Sequence, residues 1–334
     1  VLREQHAEPP DPASSVLEAT RLWRNGLDAM SSDPLSDVLR LTEARSVMSG
    51  GYAIGGRWGF RSAAPGVVVF AAIAQGSCWL RLDGEKEATK LEAGDVGLLS
   101  GRDGWVIGST PNPQVIDVPH NVKKPPGIVE LGPTRDCVVL FGRVSLDPSC
   151  SALLTDVLPP SVHVRASSPT AASLRWVIEA LVTEQVSARP GASVASEKLA
   201  ELLFVQILRS DLAGTALPPG WLRAMRNERI VRALRSMHDD PTRAWTLSEL
   251  AQTAAMSRTR FAVAFKSAAG VAPLTYLTEW RMRLAQRALR KEGTPIRQLA
   301  EALGYASESA FSSAFKRVVG VAPRSFRNAS TAAA

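Results

Sequence analysis

Ser257-Arg258-Thr259-Arg260-Phe261-Ala262-Val263-Ala264-Phe265-Lys266 returns 50 residues later as Ser307-Glu308-Ser309-Ala310-Phe311-Ser312-Ser313-Ala314-Phe315-Lys316. Both copies run on to Gly-Val-Ala-Pro, at Gly270–Pro273 and Gly320–Pro323, and 9 of 17 aligned positions are identical. Two copies are too few for a solenoid, so the duplication reads as a repeated supersecondary unit. Each unit reads as helix, tight turn, helix. In the first, Thr246 and Glu249 have capping-box spacing, Leu247, Leu250 and Ala251 lie inward, Ala254-Ala255-Met256 turns the chain, and Ser257 caps the second helix. In the second, Thr294-Pro295 reads as a cap followed by a first-turn proline, Ile296, Leu299 and Ala300 lie inward, Gly304 sits in the turn, and Ser307 caps. This is the helix-turn-helix plan, whose second helix enters the major groove of DNA.

Helical spacing gives each second helix two faces. Phe261, Ala264, Phe265 and Ala268, and their counterparts Phe311, Ala314, Phe315 and Val318, fall at i, i+3, i+4, i+7 and form the core side. The outward positions are Arg258, Thr259, Ala262, Val263 and Lys266, and Glu308, Ser309, Ser312, Ser313 and Lys316. Ser and Thr bond several bases, Ala262 and Val263 suit a thymine methyl, and Glu308 suits cytosine N4. Lys266, Lys316, Arg317 and Arg324 are placed for phosphate, and Arg260 for either base or phosphate. Between the units, Pro273 opens a helix to about Lys291 with Leu274, Leu277, Trp280, Leu284 and Ala288 as its buried stripe. At 1.5 Å per residue it is roughly 27 Å long. With the flanking turns it holds two recognition helices about one DNA turn, roughly 34 Å, apart.

Charge agrees with this reading. The 334-residue chain carries a formal +7, but Trp221–Arg327 alone holds 19 Lys+Arg and 8 Asp+Glu, a net +11. The rest holds 20 basic and 24 acidic side chains, a net −4. A basic third on an acidic remainder calls for an anionic partner, nucleic acid before membrane. The alternative is a basic surface kept for solubility.

Upstream, residues 1–31 read as an extension, Pro- and acid-rich and then amphipathic over Val16–Met30 through Val16, Trp23, Leu27 and Met30. From Arg45 to about Asp147 the chain is Gly-rich and β-branched in short runs, such as Val67–Phe70, Cys78–Leu82, Val96–Leu99 and Cys137–Phe141. Turn signals at Asp83-Gly84 and Ala93-Gly94-Asp95 separate them. Many short strands with close turns predict a β-sandwich or small barrel. After Pro169 two helices follow, one striped by Leu174, Val177, Ile178 and Leu181, the next by Leu199, Leu202, Leu203, Gln206 and Ile207. The second has a wide apolar face, which serves either its own domain's core or a dimer seam. Apolar composition of 45% excludes wholesale disorder, and the longest apolar run, Val67–Ala74, is too short to span a bilayer. An acidic N-terminus without an apolar run shows no secretory signal. Three scattered cysteines form neither a disulfide framework nor a zinc motif, so a cytoplasmic setting is expected.

Trp221–Arg327, with Trp280-Arg281-Met282, Gly304-Tyr305 and the closing Gly320–Pro323 and Phe326-Arg327, resembles the DNA-binding domain of AraC/XylS transcriptional regulators. The resemblance implies that one monomer reads two successive major-groove segments with the outward faces named above. Ala262 and Val263 depart from that family's usual polar readers. Asp33–Arg165 with the two following helices resembles the cupin-type N-terminal domain of one AraC subgroup, through Asp33–Leu39, Gly76–Leu80 and Ala93-Gly94-Asp95. The expected chain is multidomain α+β. It comprises an extension (1–31), a cupin-like β-barrel or sandwich that senses a signal (32–165), a helical connector with dimerising potential (166–218), an all-α double helix-turn-helix (221–327) and a tail (328–334).

Metal-binding cupins cluster histidines and a glutamate around iron or manganese. Residues 31–165 have only His120 and His163, no HxH, and Trp105 after Gly104 where a second-motif histidine often stands. No metal, cofactor or enzymatic role is expected. Trp58, Phe60, Phe70, Trp79 and Trp105 are candidate linings of an apolar effector pocket, or ordinary core. Cys78 and Cys137 are either buried small apolar groups or redox-sensing thiols. The partners expected are promoter DNA, RNA polymerase, a second copy of the chain and a small-molecule effector. A nucleoid-type architectural binder and a cupin enzyme with an appended DNA domain are the rival readings.

Overall fold

A computed structural model describes residues 33–64, 66–117, 127–168, 171–187, 189–213, 217–291 and 294–332. The amphipathic stretch Val16–Met30 and His120 lie outside these residues. Two units emerge: Thr42–Arg226, and the described residues up to Leu41 together with those from Asn227 on.

After the first helix, α1 (Pro34–Leu41), the chain enters the β-rich unit. Its strands are β1 (Arg45–Ile54), β2 (Gly59–Ser62), β3 (Val68–Gln75), β4 (Ser77–Leu82), β5 (Thr89–Glu92), β6 (Val96–Leu99), β7 (Trp105–Gly108), β8 (Ile116–Asp117), β9 (Ile128–Leu131), β10 (Cys137–Ser145) and β11 (Ser161–Val164). They form a six-stranded sheet in the order β11-β6-β3-β10-β1-β9 and a five-stranded sheet in the order β5-β4-β7-β2-β8. Of barrel and sandwich, the fold is thus the sandwich: two open sheets sharing an apolar interior.

Strand periodicity explains how each sheet is used. In β4, Cys78, Leu80 and Leu82 are buried while Ser77, Trp79 and Arg81 are less so, the alternation of a sheet covered on one face. In β3, Val68 to Ile73 are all buried, because both faces are covered. Its outer cover comes from the helices after α2 (Ala152–Thr155): α3 (Ala171–Ser187) packs on β3, and α4 (Ala192–Ala213) on β1 and β11. Leu174, Val177, Ile178 and Leu181 of α3, and Leu203, Phe204, Ile207 and Leu208 of α4, are buried. Each is worth roughly 1.5–3 kcal/mol relative to exposure. The segment expected as a connector is therefore part of the sandwich's own core. So is α5 (Trp221–Ala224), which the sequence reading assigns to the DNA-binding segment: Trp221 is buried and donates its indole N–H to the Leu153 carbonyl.

The second unit contains α6 (Glu228–Asp239), α7 (Leu247–Thr253), α8 (Arg258–Ala269), α9 (Pro273–Lys291), α10 (Ile296–Ala302), α11 (Glu308–Val319) and α12 (Pro323–Ala332). α9 packs against α8 on one side and against α11 and α12 on the other. Its buried face is accordingly wider than the expected stripe and includes Tyr276, Met282, Ala285 and Leu289; Leu274, by contrast, is 42% exposed.

α1 also belongs here. Leu35, Val38 and Leu41 are buried in a helix packed on α6 and α9. Asp37, buried, puts Oδ2 3.1 Å from His238 Nδ1, and His238 Nε2 lies 2.8 Å from the Tyr276 hydroxyl. A carboxylate only accepts, so Nδ1–H donates to Asp37 and Nε2 of the neutral ring accepts from Tyr276. The imidazole stacks on Trp280, centroids 3.8 Å apart and planes within 2°. Burial outweighs the nearby carboxylates of Asp37, Asp239 and Asp33 and holds the His238 pKa below its ordinary 6.5.

Three stability predictions follow from this unit. Unfolded His238 takes up a proton as pH falls through 6.5 and the folded ring does so only at lower pH, so the unfolded state binds more protons in that window. Urea unfolding of the full chain should therefore lose up to about 1.4 kcal/mol per pH unit below 6.5 from this group. His238→Gln should remove that component of the slope. At the turn of the second helix pair, Gly304 has φ +75° and a Cβ there would sit 2.1 Å from the Thr242 carbonyl oxygen. Gly304→Ala should cost about 2 kcal/mol or more, combining left-handed strain with a backbone clash. Ala255, at φ +51° in the first turn, should accept glycine with no loss and a gain of up to about 1 kcal/mol.

Candidate nucleic-acid interface

Local chemistry builds the two helix pairs alike. Thr246 Oγ1 accepts the Glu249 N–H at 3.2 Å while Glu249 Oε2 accepts the Thr246 N–H at 2.8 Å, completing the expected capping box. Arg243 adds a 2.7 Å ion pair to Glu249. Led by the hydrogen bond from the Thr246 backbone, these contacts hold the Glu249 carboxyl at about 2. The turns match too: Met256 N–H donates to Ala251 O and Tyr305 N–H to Ala300 O, both at 2.9 Å, across the left-handed residues Ala255 and Gly304. The second turn is one residue longer. Ser257 and Ser307 then cap α8 and α11, accepting from the Arg260 and Ala310 N–H groups. Gly270 and Gly320, left-handed at φ +81° and +88°, end them. One expectation changes: Pro295, not Thr294, is the N-cap of α10, and it offers no side-chain bond.

Aromatic packing fixes how these helices are rotated. Phe261, Phe265, Phe311 and Phe315 are fully buried. Phe261–Phe265 and Phe311–Phe315 ring centroids lie 5.6 and 5.7 Å apart; Phe265 meets Tyr276 edge-on at 5.7 Å, and Phe315 meets Phe326 likewise. The phenylalanines are core, so the opposite faces look outward. Arg258, Thr259, Arg260, Val263 and Lys266 are exposed on α8 and Ala262 half-buried. On α11, Glu308, Ser309, Ser313, Lys316 and Arg317 are exposed and Ser312 half-buried; Arg324 is exposed on α12. Val263 stands 67% exposed in the middle of its polar neighbours. Spacing missed Ser267, exposed one turn beyond Val263; the 50-residue repeat signals it, because its counterpart is Arg317.

The structure sorts the cations into two sets. Arg281 donates to the Pro241 and Arg243 carbonyls and stacks on Tyr305, 5.8 Å from the ring centroid; Arg327 donates to Thr294 O; Arg297 pairs with Glu301. Arg281 and Arg327 thereby tie distant backbone segments together, while Arg297 is satisfied in an exposed pair on its own helix. Among the described residues, Arg258, Arg260, Lys266, Lys316 and Arg324 have no ion pair, so their charges are available to a polyanion.

In the sandwich, Trp105 lies in the interior with its ring stacked on Phe141, 6.0 Å between centroids. Trp58 and Phe60 pack against this interior and Tyr52 joins them, 5.5 Å from Phe60. Phe70 and Trp79 do not share the cluster. They occupy the alternate register of β3 and β4, and Phe70 packs over Gly142, where a Cβ would lie 2.0 Å from its ring. Tyr52 and Phe141 are the members that spacing missed. Cys78 and Cys137 both belong to the interior. His163 Nε2 contacts Asp95 Oδ2 at 2.8 Å, and Asp95 Oδ1 accepts the Ala166 N–H, a bond that ties down the end of β11. No described helix is long and apolar enough to cross a membrane.

The chain is similar to known proteins over both of its units. A cupin family model matches residues 33–213, and a helix-turn-helix domain model matches residues 250–329. An AraC-like transcription regulator of Streptomyces lividans is 39% identical over 298 residues, 88% of this chain and 98% of that protein. Another from Streptomyces antibioticus is 37% identical over the same shares. Among solved structures, the DNA-binding domain of AdpA, a global transcriptional factor, in complex with a target DNA matches at 30% identity, covering 30% of this chain and 90% of that one, with a TM-score of 0.29. With duplicated helix-turn-helix units, a cupin sandwich and relatives matched over nearly their whole length, the chain belongs to the AraC-like family of DNA-binding transcription regulators.

Proposed function

We propose that this regulator binds promoter DNA sequence-specifically, with α8 and α11 in successive major-groove segments. The observation that carries the reading is the pair of outward faces, similarly capped and similarly turned away from one aromatic core, with free cations at their margins. Thr259, Ser309, Ser312 and Ser313 serve as base readers, Ala262 and Val263 meet thymine methyl groups, and Glu308 accepts from cytosine. Arg258 and Arg260 act at the base or phosphate edge; Lys266, Lys316, Arg317 and Arg324 hold phosphates. The length of α9, about 28 Å, suits two reading heads one DNA turn apart.

The sandwich is the sensory part of this proposal. Trp105 Nε1–H is buried without a hydrogen-bond partner among the described residues, beside Phe141, Tyr52, Phe60 and Trp58. That arrangement suits a small effector with a flat apolar body and one acceptor atom. Effector binding shifts the balance between two states of the cytoplasmic regulator only through unequal affinity for them. A second copy of the chain and RNA polymerase complete the assembly at the promoter.

The test starts from DNA sites selected out of a random pool by the purified chain, compared with unselected duplexes at one salt concentration. Selected sites should bind at least a thousandfold more tightly; equal affinity would overturn the reading in favour of an architectural binder. Lys266→Ala should weaken binding to every duplex and lower the slope of log K against log salt by about 1. Ser312→Ala should mainly relax base preference at one position. An unchanged salt slope for Lys266→Ala would remove its phosphate role.

A further inference from the structure

Cys78 opens the buried face of β4, and Cys137 is the first residue of β10. The two strands lie in different sheets, yet a corner brings the cysteines together. β3 pairs with β10 through Gln75 and Val138, turns at Gly76, and becomes β4 of the opposite sheet within two residues. Gly76 sits at φ +73°, where a Cβ would lie 1.9 Å from Asp136 O and 3.1 Å from Cys137 Cα. Only glycine allows that approach. It places the strand carrying Cys78 directly against the start of β10, and both cysteine side chains enter the same buried cluster.

From these contacts we infer that Cys78 and Cys137 form an oxidant-reactive dithiol that closes to a disulfide across the sheet corner. Both side chains are 1% exposed, but each is the first buried residue after an exposed run, Gln75–Ser77 on one side and Gly132–Asp136 on the other. The pair therefore lies directly beneath two exposed stretches of chain. Cys150, the remaining cysteine, is buried beside Ser149 in a different part of the unit and is the internal control.

The roles of the two sulfurs differ. The interaction with Cys78 holds the Cys137 thiol below its usual pKa, and the same interaction together with burial pushes Cys78 up. Cys137 is thus the nucleophile. Its thiolate attacks one oxygen of hydrogen peroxide; the S–O bond forms, the O–O bond breaks, and hydroxide leaves to become water on taking up the proton Cys137 released. The Cys78 sulfur then attacks the Cys137 sulfenic acid; the S–S bond forms, the S–O bond breaks, and hydroxide leaves with the Cys78 proton as a second water. Two thiols lose two electrons and one peroxide becomes two waters. Bond closure brings the two sulfurs to about 2.05 Å across the sheet corner.

The test treats the folded full-length chain with stoichiometric hydrogen peroxide, blocks free thiols with iodoacetamide in denaturant, and maps peptides by mass. The expected result is a loss of two hydrogens, one Cys78–Cys137 cross-linked peptide, and an alkylated Cys150. Reduction by dithiothreitol should restore three alkylated cysteines. Cys78→Ala should leave a sulfenic acid at Cys137 that a dimedone probe captures, whereas Cys137→Ala should leave Cys78 unmodified. Wild-type mapping needs no variant to fold, so it decides on its own. The inference is overturned if all three thiols survive peroxide in the folded chain, if the cross-link forms only after unfolding, or if Cys150 oxidises first. The readout is independent of DNA binding, so its failure and failure of the regulatory reading are separable.

Discussion

Every outward side chain on α8 and α11 owes its direction to the phenylalanine pairs on their inner faces, Phe261 with Phe265 and Phe311 with Phe315. Once these rings are sunk against Tyr276 and Phe326, rotation about either helix axis would expose aromatic surface and open a void. The capped N-termini and left-handed glycine ends then fix length as well as rotation. A reading head needs this rigidity, because base discrimination is lost if side chains can swing relative to the groove edge.

The same unit shows why net charge alone is a coarse guide to a DNA-binding face. Arg281 and Arg327 add to the basic total but spend their donors on backbone carbonyls, holding the loop before α7 and the start of α10. Lys266, Lys316 and Arg324 contribute field without structural employment. Two arginines of equal formal charge thus do different work, and only their hydrogen bonds separate them.

In the sandwich the governing constraint is the alternation of strands. It sends Trp105 and Phe141 into one interior and turns Phe70 and Trp79 away from it, although all four look alike as aromatic residues in apolar runs. It also delivers Cys78 and Cys137 to that interior from opposite sheets. Their meeting depends on Gly76, whose lack of a side chain lets the corner close tightly on Asp136.

Local rules were sufficient for the helix-turn-helix units. Capping serines, the Thr246–Glu249 box, the i, i+4 phenylalanines and the repeat are all set within a few residues, so periodicity and spacing expose them directly. The β-rich texture between Arg45 and Asp147 was equally legible as a class. What depended on tertiary structure was allegiance. α1 is amphipathic, and Leu35, Val38 and Leu41 would bury as readily against any apolar surface; its home is decided by Asp37 meeting His238, 201 residues away. Trp221 joins the sandwich because its indole finds the Leu153 carbonyl, 68 residues back. Of the apolar face of α4, open between core and dimer seam by pattern alone, Leu203 and Ile207 are buried in the helix that packs on β1 and β11, while Leu199, Leu202 and Gln206 are half-buried. By itself the sequence determined which segments are helix or strand and which face of each is apolar, because backbone propensity and periodicity are short-range. Which apolar face met which, and which cysteine met which, was decided only by contacts between residues far apart in the chain.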